Sequence, residues 1–111
     1  MANYSNNDTT APNWVCQTPY IYNVALTTLN TQYSQALPEG CKKFRVSIQG
    51  GVSTDSYRVS FVTGKVATPT APYLTFTAEK IYEQEDLALS SVTLYLASAS
   101  GSKTAQIEAW V

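Results

Sequence analysis

The sequence contains no histidine, and this absence bears first on catalysis and metal binding. Histidine is the side chain that most often transfers protons near neutral pH, so general acid-base catalysis would have to use less suitable groups. The two cysteines have neither CxxC spacing nor the further ligands that a structural zinc site needs. No P-loop, nucleophile elbow or dinucleotide fingerprint is present. We therefore expect a protein that is not an enzyme and that uses no cofactor and no metal.

Charge is also scarce, since charged residues make up 14% of the chain and the net charge is −1. Such a surface offers little attraction to a phosphate backbone or an anionic membrane. No run of about 18 apolar residues is present, and the first residues have neither the basic start nor the apolar stretch of a signal peptide. We expect a protein made in a cytoplasm, with neither nucleic acid nor a membrane as its partner.

The two cysteines, Cys16 and Cys41, lie far apart in the sequence. Because no export signal is recognised, both are expected to be reduced and buried as small apolar side chains. A disulfide that ties the N-terminal segment to the start of a later strand is the alternative.

Acidic residues cluster at one place, with Glu83, Glu85 and Asp86 close together in a predicted connection. Carboxylates are hard oxygen ligands of the kind that Ca²⁺ prefers, so a calcium site is one hypothesis. The interpretation we favour is a solvated connection whose charges keep a neighbouring strand edge from pairing wrongly.

Alternation of apolar and polar residues is the main positive signal, and it is clearest in the last stretch, Ser91–Val111. Two alternating arms flank a short segment of serine and glycine, so this stretch is predicted to form an antiparallel hairpin. A second predicted hairpin places Phe44, Val46 and Ile48 on one inward row. Its other arm carries the inward row Tyr57, Val59 and Phe61, and Phe44 and Phe61 are expected in the core.

Shorter alternating segments complete the pattern. Residues 20–29 predict a first strand, and 31–37 either continue it or form a second one. Residues 73–77 predict a strand with Leu74 and Phe76 inward. Ile81 and Tyr82 predict a further short strand that pairs briefly after it. Seven to eight short strands separated by turns predict a single all-β domain over residues 20–111, an antiparallel β-sandwich or jelly roll.

Residues 1–19 are rich in Asn, Thr and Pro and show no sustained periodicity. We interpret them as an extended N-terminal arm that orders against a neighbour, with Tyr4, Trp14 and Val15 as its apolar anchors. An unstructured terminus is the alternative. The eight tyrosines raise a further alternative, a sugar-binding platform made by members such as Tyr20, Tyr22, Tyr57, Tyr73 and Tyr95.

A family resemblance covers the region from about Leu37 to Val111. The runs LPEGCKKFRVSIQ, DSYRVSFVTGKV and APYLTFTAEKIYEQEDLALSSVTLYLASASGSKTAQIEAWV resemble small β-sandwich head decoration, or cement, proteins of tailed bacteriophages. The cues are a turn before a short basic strand, the YRVSFVTG strand, the PYLT strand before an acidic loop, and the ending IEAWV.

The resemblance implies a virion protein without a catalytic site that binds the major capsid protein on the outer surface of the capsid and assembles as a homotrimer. The resemblance carries over no binding residues; the interface residues predicted from the sequence pattern itself are Tyr4, Trp14 and Val15 in the arm, with Tyr95 and Trp110 on outer strand faces. The alternatives are a carbohydrate-binding β-sandwich module and a tail or fibre accessory protein of the virion.

Overall fold

The structure, a computed structural model, describes residues 18–50, 52 and 54–111. These residues form eight β-strands and no helix, as expected from the repeated period-two alternation. The strands are β1 (Tyr20–Leu26), β2 (Tyr33–Ala36), β3 (Lys43–Gln49), β4 (Ser56–Ser60), β5 (Leu74–Thr77), β6 (Tyr82–Gln84), β7 (Thr93–Ser98) and β8 (Lys103–Trp110).

The strands make two four-stranded sheets that pack face to face. The first sheet has the order β1-β8-β3-β6 and the second the order β2-β7-β4-β5, and all pairs are antiparallel. Consecutive strands lie in opposite sheets except β4 and β5, which pair with each other. This connectivity is that of a double-sheet jelly roll. The predicted all-β sandwich is therefore confirmed.

The two predicted hairpins are wrong in their pairing, although their strands exist. Strands β3 and β4 lie in different sheets, and so do β7 and β8. The connection between β7 and β8 turns across the sandwich close to the segment after β1: Ser102 N donates to Thr27 O at 3.0 Å, and a Cβ on Gly101 would lie 3.1 Å from the same oxygen. A side chain at this position would press on the backbone of the segment after β1, so glycine suits the close approach.

The core fills the space between the sheets. Alternate residues of β3, β4, β7 and β8 point inward, and polar residues lie between them on the outer face of the first sheet. The buried cluster comprises Leu26, Leu37, Cys41, Phe44, Val46, Ile48, Tyr57, Val59, Ala78, Leu94, Leu96, Ala105, Ile107 and Ala109.

Phe61 and Leu74 are not the core residues that the alternation predicted. Phe44 is 1% exposed, whereas Phe61 is 46% exposed because β4 ends at Ser60 and the chain turns before the next inward position. Leu74 is 49% exposed, since it opens the edge strand β5. Phe76, two residues later, packs against the core as predicted.

A long connection, residues 61–73, covers the outer face of β4. Arg58 is buried there, and its guanidinium donates to Val66 O at 2.6 Å and to Asn30 Oδ1 at 2.7 Å. The Ser60 hydroxyl donates to Pro72 O at 2.8 Å. Strand β4 is therefore buried on both faces, which an alternating pattern does not indicate.

Asp55 fastens the connections at one end of the sandwich, which we call the Asp55 end. Its carboxylate accepts hydrogen bonds from Val52 N and Ser100 Oγ, both at 3.0 Å, and lies 3.6 Å from the Lys103 ammonium. Its carbonyl oxygen accepts a hydrogen bond from Ala78 N at 3.1 Å. Three connections between strands are therefore joined through one residue.

Cys41 is buried, and its thiol donates a hydrogen bond to Lys43 O at 3.2 Å. Burial raises the pKa of the Cys41 thiol. Cys16 and the whole predicted arm up to residue 17 lie outside the described residues. Within the part of the chain that the structure describes, no helix has the length and apolar character that crossing a membrane would require.

The different burial of Phe44 and Phe61 predicts different costs of truncation. Phe44→Ala should lower the free energy of unfolding by about 3–5 kcal/mol, because a fully buried ring leaves a cavity. Phe61→Ala should cost about 1 kcal/mol, the magnitude of its edge contact with Phe44. Urea denaturation of both variants measures this difference. Equal losses would mean that Phe61 belongs to the core after all.

Asp55 predicts a pH dependence of stability. The hydrogen bond from Val52 N, that from Ser100 and the charge of Lys103 hold the pKa of Asp55 below its usual range. A carboxylate with a lowered folded-state pKa stabilises the protein above its unfolded-state pKa, and this stabilisation is lost as the pH falls through the folded-state pKa.

The variant Asp55→Asn has nearly the same shape but cannot ionise, so it isolates this effect. We expect its melting temperature to lie below that of the parent at about pH 6 and the difference to shrink towards about pH 3. A difference that stays constant over this range would show that the carboxylate charge does not stabilise the fold.

Candidate functional site

The end of the sandwich opposite Asp55 carries an apolar surface, which we call the Phe61 end. Here β4 ends, and β1, β5 and β7 begin. Phe61, Val62, Tyr73 and Leu74 are all exposed at this end, with relative exposures from 38% to 49%. They are neighbours because β5 returns antiparallel to β4 and brings residues 72–74 back beside residues 59–62.

The larger of two hollows at this end lies at the open side of the sandwich. Its volume is about 320 Å³. Phe44 and Phe61 come from opposite sheets, and the rest of the wall comes from β6 and from the segment between β6 and β7. The lining consists of Phe44, Phe61, Tyr82, Gln84, Leu87, Leu89 and Val92.

A smaller hollow of about 190 Å³ lies on the other side of Phe61. Its walls come from the last residues of β4 and the first of β5, namely Val59, Ser60, Phe61, Val62, Pro72, Tyr73 and Leu74. Phe61 lines both hollows, so its ring forms the ridge between them.

A series of aromatic contacts holds Phe61 in this position. Its ring meets that of Phe44 edge-on, with centroids 6.3 Å apart, and Phe44 meets Tyr82 in the same way at 5.7 Å. Tyr82 stacks on Phe76 at 6.1 Å, and Phe76 contacts Tyr57 at 5.9 Å. The series crosses from one sheet to the other between Phe61 and Phe44 and again between Tyr82 and Phe76, and it closes this side of the sandwich. The core contacts therefore fix the ridge.

The segment between β6 and β7, which lines part of the larger hollow, is held in place by backbone hydrogen bonds. Leu87 N donates to Lys42 O at 2.9 Å, and Leu89 N donates to Cys41 O at 3.1 Å. Gly40 N donates in turn to Leu89 O at 2.9 Å. These bonds satisfy the polar groups of the chain and leave apolar side chains to line the hollow.

The lining of both hollows is mainly apolar. Neither hollow is lined by a carboxylate, an ammonium, a guanidinium or a thiol. Apolar walls gain free energy by excluding water when a ligand or partner covers them. The two ends of the molecule differ in arrangement. Polar contacts through Asp55 join the connections at the Asp55 end, where Leu29 and Val52 are exposed singly, whereas the exposed apolar side chains of the Phe61 end adjoin two hollows.

Two of the predicted interface residues are described, and the structure does not bring them together. Trp110 lies half-buried on the outer face of the first sheet, with the Lys43 ammonium 5.1 Å from its ring centroid. Tyr95 lies half-buried on the outer face of the second sheet, where it is in register with Ser34 and Ser60. The predicted anchors Tyr4, Trp14 and Val15 lie outside the described residues.

The tyrosines of the proposed sugar platform are dispersed. Tyr57 is buried in the core, and Tyr95 lies on the outer face of the second sheet. Tyr20 and Tyr22 stack on β1 with centroids 6.4 Å apart, at the opposite edge of the sandwich from Tyr73.

The acidic residues predicted to form either a calcium site or a solvated connection are exposed. Glu83 forms an ion pair with Lys43 at 3.4 Å, on the edge strand β6. Among the described residues, no group of three or more His, Cys, Asp or Glu side chains is arranged to hold a metal ion.

The Phe61 end is not evident from the alternation, which predicts Phe61 and Leu74 as inward residues. A usable signal is present, since Thr63 and Gly64 follow directly after Val62 and end the strand pattern. An aromatic residue at such a boundary can lie at the rim of the core.

No family model, no curated protein and no solved structure matches this chain.

Proposed function

We propose that the protein is a structural protein of a phage virion that binds the outer surface of the capsid and bridges neighbouring subunits of the major capsid protein. It acts as a decoration, or cement, protein and has no enzymatic activity. The observation that carries the proposal is the Phe61 end, where exposed apolar side chains lie together beside two adjoining hollows on a domain of low charge.

The shape of the Phe61 end suits a protein partner. Two hollows separated by a ridge accept apolar side chains from a facing surface, and buried apolar anchors in such pockets dominate the energy of protein interfaces. The walls are held by the core contacts of Phe61 and by backbone bonds, so little ordering cost arises on binding.

Many copies of a weak contact, repeated over the capsid lattice, can hold the protein firmly on the capsid. A capsid presents the same surface many times, and a small domain that touches two neighbouring subunits binds the second at a high effective concentration. Bridging of this kind would resist the separation of subunits under internal pressure. Self-association of the domain would multiply the contacts further, and the family resemblance implies a homotrimer for it.

A sugar-binding module is the second candidate, and the stacked pair Tyr20 and Tyr22 is the observation that favours it. Tyr20 is 47% exposed and Tyr22 is half-buried, and an exposed aromatic face is a suitable surface for a sugar ring. Glycan-array binding that disappears on Tyr20→Ala would support this candidate over capsid binding. A tail or fibre accessory protein of the virion shares the chemistry of the first proposal and differs from it in location.

A charge placed on the Phe61 end tests capsid binding. Val62→Asp should weaken binding to undecorated heads of the encoding phage by about tenfold or more, because a desolvated carboxylate has no partner in an apolar contact. Binding is measured by co-sedimentation with the heads. Heads mixed with the variant should also rupture on heating at the temperature of bare heads.

The matched control is Leu29→Asp, which places the same charge on an exposed leucine near the Asp55 end. It should bind and protect the heads as the parent does. If Leu29→Asp and Val62→Asp weaken binding equally, the Phe61 end is not the surface that meets the shell.

Removal of residues 1–19 tests the predicted arm. The alternating rows of the sandwich begin at Tyr20, so we expect the truncated chain to keep its melting temperature and to dissociate faster from the heads. Melting and dissociation are measured on the same preparation. A fall in melting temperature large enough to explain the lost binding would mean that this segment belongs to the core of the domain.

A further inference from the structure

The four edge strands of the sandwich are protected to different extents. Strands β2, β5 and β6 are short, with four, four and three residues, and β6 also carries the charged Glu83. Short edges and charged side chains are the usual means by which proteins keep sheet edges from pairing with other chains.

Strand β1 has none of these protections. It has seven residues, YIYNVAL, with no charged residue and no proline. Its outward side chain Ile21 is 63% exposed and Tyr20 is 47% exposed. One side of β1 pairs with β8 along its whole length, and no strand among the described residues pairs with the other side.

From this contrast we infer that β1 is a self-association edge, on which β1 of a second copy pairs in antiparallel register across a two-fold axis at Asn23. The first sheets of the two copies then form one continuous sheet through the interface. The occupant of the edge is a second copy of this chain.

The register follows from the alternation of the strand. In a continuous antiparallel sheet, two residues that lie opposite each other point to the same face. An axis midway between two residues would pair side chains that point to opposite faces, so the two-fold axis must pass through a residue position. An axis at Asn23 is the one that pairs all seven residues. Ile21 then faces Ala25 of the second copy, and Tyr22 faces Val24, so apolar side chains meet apolar side chains on both faces.

Charge and length favour a second copy as the occupant. Because β1 is uncharged, two copies bring no like charges together in the strand pair, and the net charge of −1 per chain adds little repulsion. An identical strand also matches the edge in length, so every outward backbone group within the pair can find a partner.

This interface is separate from the surface proposed to meet the capsid. It does not depend on capsid binding, and it predicts dimers, whereas the family resemblance implies trimers. The purified protein alone is therefore the right material for the test.

The experiment is sedimentation equilibrium over a range of concentrations for the parent, Asn23→Asp and Asn23→Lys. The parent should form dimers as the concentration rises. Each variant places two like charges opposite each other at the axis and should raise the dimer dissociation constant by about fivefold. An equimolar mixture of the two variants should recover dimers, because the mixed pair has opposite charges. This recovery also shows that both variants are folded.

Ser34→Asp and Ser34→Lys are the matched controls, since Ser34 is exposed on the edge strand β2. They should dimerise as the parent does. Four outcomes would overturn the inference: a monomer at every concentration, a trimer, dimers that neither Asn23 variant weakens, or dimers that appear only after residues 1–17 are removed. The last outcome would mean that the N-terminal segment of the chain itself occupies the edge.

Discussion

The structure depends on one constraint, the packing of the inward apolar side chains of one sheet against those of the other. The inner face of each sheet is buried against the other, and the low charge of the chain leaves few ion pairs that could replace this burial. Phe44 and Tyr57 anchor the rows from opposite sheets, and the aromatic series from Phe61 to Tyr57 closes the open side. The shape of the Phe61 end follows, since the rings that seal the core also form its rim.

The two ends of the sandwich are held together by different contacts. At the Asp55 end, one carboxylate and the backbone around it join three connections. At the Phe61 end, backbone bonds fix the segment before β7 and the side chains remain apolar and exposed. A surface of this kind lowers the solubility of a free domain, and its burial against a partner offsets that cost. This difference is the physical basis of the proposed binding role.

The sequence predicted the strands well because burial on one face imposes period two, and residues 43–49 and 103–110 follow it closely. Pairing could not be predicted, since a hairpin and a crossing between sheets bury the same inward rows. The exposure of Phe61 and the burial of Arg58 were missed for a related reason. Both depend on where the chain after Ser60 turns and on which face it then covers, and neither is a property of the strand itself.

The central claim is that the Phe61 end meets the outside of a capsid. Cryo-electron microscopy of heads of the encoding phage, mixed with the purified protein, tests it most directly. The account predicts density for the sandwich over the junctions between neighbouring shell subunits, with Phe61 and Leu74 against the shell and the Asp55 end towards solvent. Bare heads would contradict it, as would density confined to the tail or attachment to the shell through the Asp55 end.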